Sequence, residues 1–123
     1  MISIEYVEWT EIEVHDCECC GTYSGGGTDV SVNGNIIWSY EEDGHMWASQ
    51  TNGDFKEILI KEVIEELNHF PKENSYWIED GWLEKELHNV VVPASIRSAI
   101  EVLVAWMKYY EVEVEICFKH ESR

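Results

Sequence analysis

"TDVSVNGNIIWSY", residues 28–40, sets Asn33-Gly34 between two β-prone runs. Asparagine followed by glycine tolerates positive φ at both central positions of a tight turn, so the stretch predicts a β-hairpin. Upstream, Ile2, Ile4, Tyr6, Ile12 and Val14 share one parity, and Ser3, Glu5, Glu11 and Glu13 share the other. That two-residue period is the mark of a half-buried strand. Glu8 and Thr10 interrupt the apolar row, which predicts a bulge or short turn there. "SGGG" at 24–27 reads as a loop, and the strand after the hairpin turn ends in "EEDGHMW", 41–47.

Downstream, "DFKEILIKEVIEELNHF", residues 54–70, changes period. Phe55, Ile58, Leu59, Val63 and Leu67 fall on one helical stripe. Asp54 is a natural N-cap, Glu57 stands three residues on as in a capping box, and Pro71 limits the far end. Residues 75–92 read as a strand at "YWI", a turn at "EDG", and a second short element. Pro93 opens a second helix, "ASIRSAIEVLVAWMKYY". Between Ala99 and Met107 only Glu101 is charged, so this helix is expected in the core or partly against a second subunit. "EVEVEICF", 111–118, closes as a strand with Val112, Val114, Ile116 and Phe118 on one side; Cys117 falls on the glutamate side.

The chain has 123 residues, one domain (1–123) by length, and 45% of them are hydrophobic, enough for a real core. The expected class is α+β: an antiparallel-rich sheet of four or five strands packed by two helices. No run reaches the roughly 20 apolar residues of a membrane span. The N-terminus lacks a basic n-region, which predicts a cytoplasmic chain in which stable disulfides are disfavoured. Six tryptophans are many for this size; most are expected in the core or in cross-strand pairs, with Trp47 and Trp82 as candidate interface anchors.

Twenty-five acidic against eight basic residues give a net charge of −17. From Met1 to Phe55 there is no Lys or Arg at all. Such a field repels nucleic-acid phosphates and attracts basic surfaces. The blander consequence is solubility; the sharper one is that the acidic half docks on a basic groove of a protein partner. No direct binding of nucleic acid is expected.

"HDCECCGTY", residues 15–23, holds three of the four cysteines. Cys17 and Cys20 form Cys-x-x-Cys followed by Gly21, the pattern of a zinc knuckle. Two thiolates leave two places, and "DGH", 43–45, presents an oxygen and an imidazole. The expected structural zinc site is therefore Cys17, Cys20, Asp43 and His45, with His15, Cys19 or Cys117 as alternatives to Asp43. A redox Cys-x-x-Cys prefers the strand-to-helix junction of a βαβ unit, and Asp16 and Glu18 would raise the thiol pKa values. Four ligands leave no open position for catalytic water. With no phosphate loop, no Ser–His–Asp pattern and no oxyanion signature, no enzyme activity is expected.

A small, very acidic α+β chain with "CECCG" and "EDGH" resembles the zinc-binding type II-A anti-CRISPR proteins, small inhibitors from phages and mobile elements. The resemblance lies in size, charge and a Cys/His site over the whole chain. It implies binding to the RNA-guided CRISPR effector nuclease and interference with loading of target DNA. Such nucleases hold their heteroduplex in a positively charged channel, which an acidic protein could occupy or distort. The alternative class is an immunity protein that covers the basic active site of a nuclease toxin. Either protein is expected to act chiefly as a monomer.

Overall fold

The computed structural model describes residues 2–11, 15–17, 21–23, 25–42, 48–69 and 81–122. The predicted hairpin is its centre. Strand β4 (Gly26–Val32) turns through Asn33 and Gly34, at φ 48° and 86°, into β5 (Asn35–Glu42). Both turn residues are left-handed, as this two-residue connection requires. Asn33 also stitches three elements together. Its backbone N–H donates to Ser3 O at 2.8 Å, and its side-chain oxygen accepts from Ser3 N at 2.8 Å. Its Nδ2 donates to Glu66 at 2.8 Å. Asn33→Ala removes two part-buried hydrogen bonds and a residue tolerant of positive φ. It should cost about 2 kcal/mol by urea denaturation.

Strand β1 (Ile2–Thr10) lies antiparallel to β4 and pairs in unbroken register to Thr10↔Gly26, so the interruption expected at Glu8 and Thr10 is absent. Val7 and Trp9 carry the apolar character there on the opposite parity. Ile12 and Val14 lie outside the described residues. β2 (His15–Cys17) and β3 (Gly21–Tyr23) form a separate antiparallel pair, with Cys17 opposite Gly21. β6 (Ala48–Gln50) and β7 (Val114–Ser122) complete a five-stranded sheet in the order β6-β5-β4-β1-β7. The sheet is mixed, because β7 runs parallel to β1.

Three helices are present among the described residues, against the two expected: α1 (Phe55–His69), α2 (Trp82–Asn89) and α3 (Ile96–Tyr109). The extra helix takes the place of the "second short element". The strand expected at Tyr76–Ile78 lies outside the described residues. α2 has only two buried positions, Leu83 and Leu87 at i and i+4, too few to announce a helical period.

One face of the sheet packs against the helices. Ile2, Ile4 and Tyr6 meet Val30, Val32, Trp38 and Val114 beneath Leu59, Ile60, Val63, Leu83, Leu87, Ile100, Leu103 and Met107. Each such aliphatic side chain contributes about 1.5–3 kcal/mol through burial. The fully buried positions of α1 include Ile60 beside the expected stripe, whereas Ile58 and Leu67 are partly buried. Asp54 caps α1 by accepting from Lys56 N at 2.9 Å, while the Glu57 carboxylate meets His88 Nδ1 at 3.0 Å. Lys56 Nζ donates to the carbonyls of His88 and Val90, at 2.6 and 2.5 Å. It thus satisfies orphan acceptors at the C-terminus of α2, where a cation also complements the helix dipole. Among the described residues no helix is long and apolar enough to cross a membrane.

Candidate functional site

Three regions bear on function: the cysteine hairpin, the sheet face turned away from the helices, and the aromatic surface of α2 and α3.

Cys17 is the last residue of β2, and its cross-strand partner is Gly21. In sequence "ECC", residues 18–20, stands between the paired strands β2 and β3. Cys19, Cys20, Asp43 and His45 lie outside the described residues; His15 begins β2. The sheet answers one question that the sequence leaves open. β4 separates β1 from β5 and is antiparallel to both, so β1 and β5 run parallel. Thr10, Gly26 and Glu42 stand side by side in register. The chain therefore leaves β1 towards the cysteines, and β5 towards "DGH", from the same end of the sheet. Cys117, by contrast, is exposed and level with Glu5, five residues back from Thr10. That is roughly 17 Å along the strand, away from the end where the other two segments depart.

The sheet face opposite the helices is acidic. Register places Glu5, Val7 and Trp9 of β1 beside Asp29 of β4, Glu41 of β5, and Glu115, Cys117, Lys119 and Glu121 of β7. Five carboxylates thus share this face with one ammonium, Lys119, among the described residues. Lys119 Nζ stands 3.3 Å from Glu5 Oε2, and this carboxylate raises the lysine's pKa above its ordinary value. An exposed pair of this kind contributes at most about 1 kcal/mol, and among the described residues carboxylates outnumber cations on this face. Beneath the carboxylates Trp9 and Val7 are buried apart from the helix-side core. Trp9 packs its ring over its cross-strand partner Gly27, which fixes β1 against β4 on this face.

The third region carries exposed aromatics. Trp82 and Trp106 are 43% and 41% exposed and Tyr109 is 75% exposed. α3 is thus buried along Ala99, Ile100, Leu103, Val104 and Met107 but not on every face. Trp82 meets the Tyr110 ring edge-on with centroids 5.0 Å apart, and Tyr109 meets Tyr110 likewise at 5.1 Å. Beside them lies a cleft of about 530 Å³ lined by Glu86, Ala105, Trp106, Tyr109 and Tyr110. A second, of about 310 Å³, is lined by Glu86, Asn89, Val90, Val91 and Trp106. Desolvation and then the negative charge of Glu86 raise the Tyr110 phenol above its ordinary value. Of the two tryptophans expected as anchors, Trp82 is partly exposed here and Trp47 lies outside the described residues. Sequence reading missed Trp106 and Tyr109, which look like core in so apolar a helix. Helical spacing puts Tyr109 on the side opposite Leu103 and Met107, whereas Trp106, three residues from Leu103, flanks the buried stripe and is not separable from it by period alone.

No protein-family model, curated protein or solved structure matches the chain.

Proposed function

We propose that the protein is a non-enzymatic inhibitor that sets its acidic sheet face on a basic, nucleic-acid-binding surface of a partner protein. The observation that carries this reading is the face itself: Glu5, Asp29, Glu41, Glu115 and Glu121 against Lys119. Carboxylates on a stiff sheet resemble a line of phosphates in sign and can steer association with a positively charged groove. The resemblance in size, charge and Cys/His pattern supports a CRISPR effector nuclease as that partner and loading of target DNA as the step opposed. In this reading the protein needs no reaction of its own, because occupying the channel suffices.

Zinc in this proposal is structural and is held by Cys17, Cys20, Asp43 and His45, with His15 or Cys19 as replacements for Asp43. The hairpin pairing of Cys17 with Gly21, and the shared sheet end from which both segments depart, support that ligand set. Bound metal would tie the two segments together beside the acidic face. Elemental analysis should find about one zinc per chain. Cys17→Ser with Cys20→Ser should abolish the zinc and lower the melting temperature. Less than half an equivalent of zinc in the parent protein, or an unchanged melting point in the variant, would overturn the metal assignment.

The docking reading is tested by capture on an immobilised, guide-loaded effector nuclease at rising salt. Capture should fall steeply with ionic strength. Glu115→Lys with Glu121→Lys, on an exposed strand, should abolish it while leaving the melting temperature within a few degrees. Capture of a toxin nuclease in place of the effector would favour the immunity-protein class.

A further inference from the structure

The two clefts between α2 and α3 adjoin at Glu86 and Trp106, which line both, and together they offer a groove-like surface with an aromatic end and an aliphatic end. At the aromatic end Trp106 lies 5.9 Å from Tyr109 and 6.1 Å from Tyr110, centroid to centroid, at interplanar angles of 68° and 31°. At the other end Val91, 90% exposed, offers apolar surface beside the buried Val90. Glu86 places a carboxylate in both parts, whereas the exposed Lys85 and Lys108 line neither.

We propose that this groove receives a cationic side chain of the partner protein, an arginine by preference, with its guanidinium against the aromatic rings and the Glu86 carboxylate and its methylene stem towards Val90 and Val91. The aromatic faces carry negative quadrupole density, so they attract a cation that an aliphatic pocket would reject. Arginine suits the site better than lysine because its planar, weakly hydrated head stacks on rings while pairing with a carboxylate. The net charge of −17 draws basic partners to the whole molecule. The groove then supplies a discrete anchor of the kind that tryptophan and tyrosine form at interface hot spots. The Tyr110 phenol, raised first by desolvation and then by Glu86, has that carboxylate beside it.

This inference rests on the reading of a basic protein partner and names one side chain by which that partner is held. The test uses the full protein, isotopically labelled, and the probe acetyl-Gly-Arg-Gly-amide, followed by the indole Nε1–H resonances. The Trp82 and Trp106 indoles should shift saturably. The same peptide carrying citrulline, which keeps the shape and loses the charge, should bind roughly tenfold more weakly. Glu86→Gln should weaken the arginine peptide by roughly three- to tenfold. Tyr109→Ser, at a mostly exposed position, should weaken it similarly, and Glu65→Gln, exposed on α1 and lining neither cleft, should not. Equal binding of both peptides, an unchanged affinity in both Glu86→Gln and Tyr109→Ser, or a dimer that buries these indoles would overturn the proposal. Failure here with nuclease inhibition intact removes the groove alone. Arginine-peptide binding without any inhibition removes the sheet-face reading and leaves the groove standing.

Discussion

Gly27→Ala should destabilise the protein by about 3 kcal/mol or more, read as a fall in the urea midpoint. Gly27 is the cross-strand partner of Trp9, whose ring lies directly over it. A Cβ at this position would stand 2.2 Å from the carbonyl oxygen of Tyr40 and 2.6 Å from the Trp9 ring. The first contact is with backbone, which cannot rotate away, so the β4–β5 ladder must open there, and the second requires Trp9 to shift. Either response disturbs the support of the acidic face and should weaken partner capture as well as stability. Gly34→Ala is the informative control. Nothing lies within 4 Å of a Cβ there, and its cost is only the strain of φ 86°, about 1 kcal/mol. Equal losses at the two glycines would show that Trp9 does not pack on Gly27 as described.

Leu87→Ala should cost about 2–5 kcal/mol and should undo the α2 surface in particular. Eight residues are too few for a helix to persist alone in water. α2 is held by Leu83 and Leu87, both fully buried, and by Lys56 at its C-terminal carbonyls. Removing the Leu87 side chain leaves a cavity between α2 and the core. Trp82 and Glu86 ride on the same helix, so the arginine peptide should lose its saturable signal in this variant. A loss below 1 kcal/mol would mean that α2 contributes little to the core.

How far the sequence reveals this fold depends on how local the determining contacts are. Asn33-Gly34, the stripe of α1 and the alternation of Val112 to Phe118 are local patterns, and each announces a real element, although β7 begins only at Val114 and runs on to Ser122, beyond the 111–118 expected. The parallel pairing of β7 with β1 is not local, because it joins Ile2 to Val114 across most of the chain. The bulge that sets Ile37 between the Val30↔Trp38 and Ser31↔Ile36 pairs is also silent, since an apolar run reads alike with or without an extra residue. α2 was legible as a short element but not as a helix, for the same physical reason that it needs Leu87: it is short and its buried pattern has two members.

The candidate site was legible in charge but not in place. The absence of cations before Lys56 points to an acidic surface, yet two of its five carboxylates, Glu115 and Glu121, come from β7 at the far end of the chain. Only the sheet order reveals that Glu115 and Glu121 join Glu5 and Asp29. The groove depends in the same way on helix packing, because Glu86 and Trp106 are neighbours in space and not in sequence.

The central claim is inhibition by docking of the acidic face, and cleavage of target DNA by a guide-loaded type II effector nuclease tests it most directly. A large molar excess of this protein should suppress cleavage when added before the DNA. The Glu115→Lys, Glu121→Lys variant at the same excess should leave cleavage intact. Full cleavage in the presence of excess parent protein would contradict the proposed function.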